Sequence, residues 1–265
     1  MCIKNSVGIK GKNLKPDVKV IQAALNLSQN KDFKLPARLS VDGVAGDKTY
    51  DAIKLFQKII GKFSTPDGRV DPGPKGATLK LLKKHSQKGL TKDAFTAIMA
   101  HSTKPRINTY YPLFSTNLDK NSINTPLRKA HFLAQVGHES LSFRYTEEIA
   151  SGADYQGRKD LGNTKPGDGI RFKGRGLLQL TGRKNYTAYA AHSKLKLLVK
   201  GNEKLLSTTP KYALDASIWF WNNKKLNKRA DQDNLRSVTR RVNGGYNGLL
   251  DRQDYLCRAK FFLIP

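Results

Sequence analysis

"RKAHFLAQVGHESLSFRYTEEI", residues 128–149, holds three of the four glutamates in a chain that otherwise uses Asp as its acidic residue. Phe132, Val136 and Glu139 recur at helical spacing, which predicts a helix over 126–141 with an apolar face that includes Glu139. A carboxyl group on such a face loses hydration, so its pKa should rise and it could act as a general acid. The alternative is a glutamate at the edge of the apolar stripe that pairs with an Arg or Lys side chain.

Glu147 and Glu148 follow in a segment that is expected to leave the helix and turn back. Glycoside hydrolysis needs a second carboxylate opposite the acid. At roughly 6.5–9.5 Å it activates a water molecule and inverts the sugar, and at about 5 Å it is a nucleophile. Spacing along the chain chooses neither between these mechanisms nor between the two glutamates. The unused glutamate is expected to form a surface salt bridge with Arg144 or Lys173.

Other hydrolytic chemistries are disfavoured by the sequence. His138-Glu139 begins like the zinc-binding pattern H-E-x-x-H, but Ser142 stands where the second histidine belongs. There is no G-x-S-x-G nucleophile elbow and no metal-ligand spacing of Cys or His. Cys2 and Cys257 do not make a disulfide framework. We therefore expect neither a metal ion nor a cofactor.

The charge is strongly positive along the whole chain, with 48 Lys and Arg against 21 Asp and Glu and a net charge of +27. Residues 1–84, with 17 basic and 7 acidic residues, contribute +10, and residues 85–265, with 31 and 14, contribute +17. Such charge favours a polyanionic partner, for example nucleic acid, an anionic membrane face or a cell-wall polymer. General solubility alone needs less charge than this.

The sequence also indicates where the chain is made. Its start, "MCIKNSVGIKGKNLK", lacks the apolar centre of a signal peptide, and no apolar run reaches membrane-spanning length. We therefore expect synthesis in a cytoplasm, and a separate route to any other compartment.

Helical periodicity and turn residues predict a mainly α protein with two domains. Three short helices over 16–26, 47–60 and 75–84 would form a small bundle in residues 1–84, and "VDPGPKGAT" at 70–78 echoes "VDGVAGDKT" at 41–49. Polar residues 85–92 are predicted to be a linker, followed by a larger helical domain over 93–265. Its helices are expected at 93–101, 126–141, 183–193, 210–223, 232–242 and 249–261, with a long Gly- and Asp-rich loop over 150–174.

The last of these helices allows two interpretations. Its sequence, within "LLDRQDYLCRAKFFLI", is basic and amphipathic, so it could touch membranes. The favoured alternative is a closing helix that packs on the domain with Leu256 and Phe261 buried.

Three motifs in the larger domain carry a family resemblance: "HFLAQVGHES" at 131–140, "GRGLLQLTGRKNY" at 174–186 and "VNGGYNGLLDRQDY" at 242–255. In this order they resemble glycoside hydrolase family 19, the chitinase-like family, and especially its phage lysozyme branch. The resemblance implies an α-helical domain with a substrate cleft that hydrolyses β-1,4 bonds between amino sugars with inversion. It places Glu139 on the general acid, Glu148 on the general base and Thr181 on the hydroxyl that holds the attacking water.

The same resemblance implies the substrate. Plant chitinases have a longer insertion between acid and base, so the nine-residue spacing here leans toward peptidoglycan rather than chitin. Substrate-binding positions fall on His138, Gln179, Asn185, Asn243 and Arg252.

The N-terminal domain resembles peptidoglycan-binding three-helix domains through "DGVAGDKTYDAIKLFQ" at 42–57. Most positions of that motif are expected to be structural. Its members here are Asp42, Gly43, Gly46, Thr49 and Phe56.

Together the two resemblances imply a modular phage endolysin, a monomer that cleaves between N-acetylmuramic acid and N-acetylglucosamine and so lyses the host. Its partners would be bacterial peptidoglycan and anionic envelope lipids, with no specific nucleic acid. It would be made in the host cytoplasm and reach the periplasm through a membrane lesion. Two alternatives stay open: a chitinase that acts on N-acetylglucosamine polymers, and a non-catalytic cationic protein that binds wall or nucleic acid.

Overall fold

A computed structural model of the protein describes residues 2–73 and 76–265, and these residues are mainly helical, as predicted. Contacts divide the chain into two compact units. The first unit extends to Thr103 and also contains Thr125–Ala134 and Leu250–Pro265; the second contains Lys104–Asn124 and Gln135–Leu249. Each unit is described by itself.

Thirteen α-helices and two short strands lie in the described residues. In chain order the helices are α1 (Lys15–Leu27), α2 (Asp47–Ile59), α3 (Ala77–His85), α4 (Lys92–Ile98), α5 (Lys104–Asn117), α6 (Pro126–Glu139), α7 (Asp168–Arg171), α8 (Arg183–Ser193), α9 (Leu205–Thr208), α10 (Pro210–Asn223), α11 (Asn227–Asp231), α12 (Leu235–Asn243) and α13 (Leu249–Leu263). Strands β1 (Val7–Gly8) and β2 (Arg69–Val70) pair antiparallel in the first unit. None of the helices in the described ranges has the length and apolar character needed to cross a membrane.

Five predicted helices differ from the observed ones by two or three residues at one end. Among them, α4 ends at Ile98 rather than at 101, and α13 extends to Leu263 rather than to 261. The helix predicted over 232–242 begins only at Leu235, because the Asn234 side chain accepts a hydrogen bond from Ser237 N at 2.8 Å and so caps the start of α12. The third helix begins at Ala77; its predicted start at Lys75 lies outside the described residues.

The short helices α7, α9 and α11 and the longer helix α5 were not predicted from the sequence. Pro112 lies inside α5 and breaks the sequence signal, since proline lacks the N–H that an interior helical position uses. The buried residues Ile107, Tyr110 and Phe114 nevertheless follow helical spacing and form its inner face.

In the first unit, the Gln22 side chain on α1 fixes the loop that enters α2. Its Nε2 donates to Asp42 Oδ1 and Val44 O, both at 3.0 Å, and to Thr49 Oγ1 at 3.4 Å. Its Oε1 accepts from Gly43 N at 2.9 Å. One buried amide thus satisfies polar groups from three parts of the loop.

Gln57 on α2 repeats this arrangement for the loop that enters α3. Its Nε2 donates to Asp67 Oδ1 at 2.6 Å, Arg69 O at 2.9 Å and Thr78 Oγ1 at 3.1 Å. Its Oε1 accepts from Gly68 N at 2.9 Å. The first unit therefore contains two copies of a helix–loop module, and the second copy has four more residues between its Asp and its Thr.

The predicted peptidoglycan-binding motif is largely structural. Gly43 has φ +84°, and an added Cβ would lie 2.8 Å from Lys15 O, so glycine is required there. Gly46 caps the start of α2, and Phe56 is fully buried with its ring edge-on to Phe33 at 5.3 Å. The wall-binding role of the motif stays a prediction.

The first unit does not end with α3. Asn26 on α1 donates to Asp93 Oδ2 on α4 at 2.7 Å. The predicted linker 85–92 is hydrogen-bonded at both sides, with Gln87 N donating to Leu27 O at 2.8 Å and Gly89 N to Phe262 O at 3.0 Å. A separate three-helix domain with the predicted limits 1–84 and 93–265 stays a prediction.

Helix α13 packs as the favoured interpretation expected. Leu256 and Phe261 are buried, as are Phe262 and Leu263. Its apolar side is therefore used inside the protein.

Candidate active site

Helix α6 positions Glu139, its last residue. Phe132 and Val136 on the predicted apolar face are fully buried, and the half-buried Glu139 follows them one turn later. The predicted apolar face is confirmed for Phe132 and Val136, although the helix ends two residues earlier than expected.

A left-handed turn follows α6 and reverses the chain. Leu141, Ser142 and Phe143 have φ values of +45°, +52° and +72°, a region that residues with a side chain rarely occupy. Ser140 Oγ accepts from Phe143 N at 2.9 Å and stabilises the turn. The segment turns back, as the sequence indicated.

Phe143 anchors this turn to α5. Its ring stacks on Tyr110 with centroids 4.4 Å apart and meets Phe114 edge-on at 5.5 Å. Aromatic pairs at these distances are favourable beyond the area that they bury. The strained backbone is thus held by packing.

The segment after the turn lies beside a tight hairpin. Arg175 and Leu180 exchange two backbone hydrogen bonds, at 3.1 and 2.7 Å, and Glu148 N donates to Gly174 O at 2.9 Å. Gly176 N donates to Thr146 O at 2.9 Å. Residues 146–148 therefore run along 174–176, which brings the second predicted motif to the second carboxylate.

Glu148 receives hydrogen bonds from two neutral groups. Tyr155 Oη donates to its Oε1 at 2.8 Å and Gly174 N donates to its Oε2 at 3.0 Å. Burial, together with this hydrogen bond, raises the pKa of Tyr155 to about 12, so the phenol stays a donor over the whole physiological range. Both donors fix the orientation of the carboxylate.

Glu147 points into a different environment. Its carboxylate accepts from Arg175 at 3.1 Å, Lys173 at 3.2 Å and Ser207 Oγ at 2.9 Å. Burial alone would raise its pKa, but these hydrogen bonds outweigh burial and lower the pKa. The predicted salt bridge to Lys173 is therefore present, and the buried Arg175 is a further partner.

Thr181, Gln179 and Asn185 form a connected group at the end of the hairpin. Thr181 Oγ1 donates to Gln179 O at 2.8 Å, and Asn185 Nδ2 donates to Thr181 O at 2.7 Å. Gln179 has φ +52°, and its buried Oε1 has no hydrogen-bond partner in the protein. An amide oxygen in that state is available to a bound molecule.

Gly174 lets Gln179 and Glu148 approach each other. A Cβ at Gly174 would lie 2.8 Å from Gln179 Oε1 and 3.2 Å from Glu148 Oε2. The structure thus brings together three predicted residues, Glu148, Gln179 and Thr181, through the hairpin.

The other predicted substrate-binding residues have different settings. The His138 ring lies against Gly248, where an added Cβ would lie 2.0 Å from the imidazole. Asn243 is exposed at the end of α12, and Arg252 is fully buried in the first unit. Their roles in substrate binding stay predictions, as do the catalytic roles of Glu139, Glu148 and Thr181.

The stretch predicted as a long loop over 150–174 contains the short helix α7, and contacts to α8 hold it there. Asp168 forms an ion pair with Arg183 of α8, and the hydrogen bonds from Arg183 lower the pKa of Asp168. Asn163 Oδ1 accepts from Arg183 N at 2.8 Å. These contacts stabilise the loop that supplies Tyr155.

Sequence reasoning missed three residues of this region, Tyr155, Arg175 and Ser207. Ser207 lies 60 residues from its partner Glu147, and nothing in the local pattern marks it. Arg175 was quoted within a motif without a role. Only the fold shows that Arg175 is buried beside the carboxylate of Glu147.

Two further features bear on ligands. In the described part of the chain, no group of three or more His, Cys, Asp or Glu side chains could hold a metal ion. In the first unit, a depression of about 390 Å³ on α2 is lined by Asp51, Lys54, Leu55, Lys58 and Pro66.

This chain is similar in sequence to known glycoside hydrolases. A protein of Haemophilus influenzae described as a glycosyl hydrolase family 19 domain-containing protein is 29% identical over 192 residues, 60% of this chain and 89% of the relative. An Arabidopsis thaliana endochitinase is 38% identical over 117 residues, 44% of this chain. The match spans only 38% of that plant enzyme's own length.

Solved structures share the fold. Chitinase C from Streptomyces griseus superposes with a TM-score of 0.50 at 20% identity, and the match covers 64% of this chain and 90% of that one.

The sequence profile of the family described as class I chitinase matches residues 92–239, more than half of the chain. That range includes Glu139, Glu148 and the hairpin with Gln179 and Thr181. The mainly helical fold agrees with it. The chain therefore belongs to glycoside hydrolase family 19, the chitinase-like glycosidases.

Proposed function

We propose that the chain is a cell-wall lysozyme of the endolysin type. It hydrolyses the β-1,4 bond between N-acetylmuramic acid and N-acetylglucosamine in peptidoglycan, with inversion at the anomeric carbon. Glu139 is the general acid and Glu148 the general base.

In this mechanism Glu139 gives its proton to the glycosidic oxygen as the bond to the anomeric carbon breaks. Glu148 takes a proton from a water molecule, whose oxygen forms the new bond on the opposite face of the ring. The two carboxyl groups have then exchanged protonation states, and exchange with solvent restores them.

The observation that supports Glu148 as the base is the contrast with its neighbour. Glu147 is engaged by two cations and a serine, so it is committed to an ion-pair network. Glu148 is oriented by a phenol and a backbone N–H, which leaves its carboxylate able to accept a proton.

Thr181 and Gln179 offer acceptors for the second proton of the attacking water. The Thr181 hydroxyl donates to a backbone carbonyl, so its lone pairs stay available. The Oε1 of Gln179, beside Glu148, is a further acceptor. A water that donates one proton to Glu148 and the other to Thr181 or Gln179 would present an oxygen lone pair to the sugar.

Peptidoglycan is preferred to chitin for two reasons. Its peptide stems carry carboxylates, which suit a chain with net charge +27, whereas chitin is neutral. The acid and base are also only nine residues apart. The descriptions of the plant and Streptomyces relatives favour chitin, so a chitinase is the second candidate.

The test is mass spectrometry of digested peptidoglycan, with chitin oligomers in parallel. We expect new reducing ends on N-acetylmuramic acid. Glu139→Gln should lower the rate at least about 100-fold, as expected for loss of a general acid. Cleavage of chitin oligomers alone would favour the chitinase, and freed stem peptides without new reducing ends would contradict glycosidase activity on peptidoglycan.

We propose that the depression on α2 binds the wall, since Lys54 and Lys58 can meet stem carboxylates there. In the inactive Glu139→Gln background, replacing both lysines by Gln should weaken co-sedimentation with insoluble peptidoglycan by roughly ten-fold. Lys31→Gln with Lys34→Gln removes the same charge from exposed positions and is the control. An equal loss of co-sedimentation in both double variants would mean that net charge alone, and not the depression on α2, causes the effect.

A further inference from the structure

A loop in the second unit presents apolar side chains to solvent. This cationic loop comprises residues 194–204, "KLKLLVKGNEK". Leu198 and Val199 are 40% and 55% exposed, although the preceding Leu197 is fully buried. One leucine anchors the loop, and the two residues after it point outward.

The charge around these two residues has a single sign at the surface. Lys194, Lys196, Lys200 and Lys204 are all exposed. The acidic residue of the loop, Glu203, is buried and forms an ion pair with Arg171 at 3.4 Å, so it does not offset the lysines at the surface.

Hydrogen bonds hold the loop in this conformation. Arg171 donates to Leu198 O, Glu203 accepts from Gly201 N at 2.9 Å, and Asn202 Nδ2 donates to Lys196 O at 3.0 Å. A loop fixed in advance loses little conformational entropy when it binds. The exposure of Leu198 and Val199 is therefore built into the fold.

The other candidate for membrane contact uses its apolar face internally. Helix α13 is basic and amphipathic in sequence, but Leu256, Phe261 and Phe262 are buried. Leu250 is the exposed leucine of α13, and it is not part of the buried face that Leu256, Phe261 and Phe262 form.

We propose that the cationic loop docks the protein on the surface of an anionic lipid bilayer. Leu198 and Val199 enter the headgroup boundary, and the four lysines contact lipid phosphates. Apolar side chains ringed by Lys are the combination that interfacial binding uses, and each part strengthens the other. The inference is independent of the substrate that the active site cleaves.

The test is co-sedimentation of the full chain with vesicles. One set contains phosphatidylglycerol with phosphatidylcholine, and the other contains phosphatidylcholine alone. We expect binding to the anionic vesicles only, weaker at high salt. Leu198→Ser with Val199→Ser, and separately Lys196→Gln with Lys200→Gln, should each lower vesicle affinity by roughly ten-fold.

Matched controls come from exposed residues of the first unit. Leu14→Ser with Leu250→Ser removes two exposed leucines, and Lys31→Gln with Lys34→Gln removes two exposed lysines. Both controls should bind vesicles as the wild type does, and thermal melts check that every variant is folded.

Three results would overturn the proposal. One is wild-type binding that ignores the anionic lipid, and another is loop variants that bind like their controls. The third is lysine-dependent binding of double-stranded DNA without vesicle binding. That result would mean that the loop binds polyanions through its lysines and that Leu198 and Val199 do not contribute.

Discussion

Glu147 and Glu148 show how far adjacent residues of one type can differ. They share the same stretch of chain, yet one is bound by Arg175, Lys173 and Ser207 and the other by Tyr155 and a backbone N–H. The cations beside Glu147 stabilise its ionised form and make it a poor proton acceptor, whereas the two neutral donors orient the Glu148 carboxylate without pairing it with a cation.

This contrast gives a prediction for the pair. Glu148→Gln should lower kcat at least about 100-fold with little change in melting temperature. Glu147→Gln should keep most of the activity and lose stability, because Arg175 is buried and would lack its carboxylate partner. Steady-state kinetics and thermal melts on both variants check this, and equal loss of activity would contradict the assignment.

Glu147 also predicts a pH dependence of stability. Because its folded pKa lies below the ordinary value of 4.5, ionised Glu147 stabilises the fold above that pH. The contribution is lost as pH falls through the lowered pKa. Chemical denaturation from neutral to acid pH should therefore show a steeper loss in the wild type than in Glu147→Gln; parallel curves would refute it.

The three glutamates could be identified from the sequence, but the sequence could not show which of Glu147 and Glu148 is the candidate base. Their partners Arg175 and Ser207 lie 28 and 60 residues away, and only the fold determines which carboxylate meets them. The position of Glu139 could be predicted because the spacing of residues along one helical face is a local pattern. The contact of Tyr155 with Glu148 could not be predicted, because it depends on the conformation of a long connecting segment.

At the scale of elements, the left-handed turn after α6 connects the two carboxylates. Its three positive φ values cost free energy that the packing of Phe143 on α5 must offset. The active site thus depends on a helix that lies more than 20 residues before Glu139 and Glu148 along the chain.

Phe143→Ala should therefore act on both stability and catalysis. Loss of the ring should cost about 3–5 kcal/mol of unfolding free energy, and kcat should fall because the turn loses its anchor. Phe33→Ala, a buried aromatic of the first unit, should cost similar stability and spare kcat. Kinetics at a temperature where both variants are folded separate the two effects; unchanged kcat in Phe143→Ala would contradict this role of the turn.

Helix prediction succeeded where periodicity and termini agreed. The limits of α8 and α10 match the predicted 183–193 and 210–223. It failed for α5, where Pro112 masks the stripe of Ile107, Tyr110 and Phe114, and it placed the start of α12 at 232 although the Asn234 cap sets it at Leu235. Local chemistry overrides periodicity at these points.

At the scale of the whole molecule, the net charge of +27 governs encounter with anionic surfaces. Raising salt from about 0.1 M to about 1 M shortens the Debye length from about 10 Å to about 3 Å. Clearing of cell walls should slow sharply over that range, while hydrolysis of a neutral soluble amino-sugar oligomer should keep its kcat. A parallel decline in both assays would mean that salt acts on the active site.

The paired amide contacts of Gln22 and Gln57 have a consequence for how such a chain can change. In each copy one amide fixes both ends of the connection, so the middle of the connection can vary in length without loss of these contacts. The second copy already contains four more residues between its Asp and its Thr than the first. Insertions between Val44 and Gly46, ahead of the residue that caps α2, can therefore lengthen this connection and add ligand contacts while Gln22 keeps both of its ends in place.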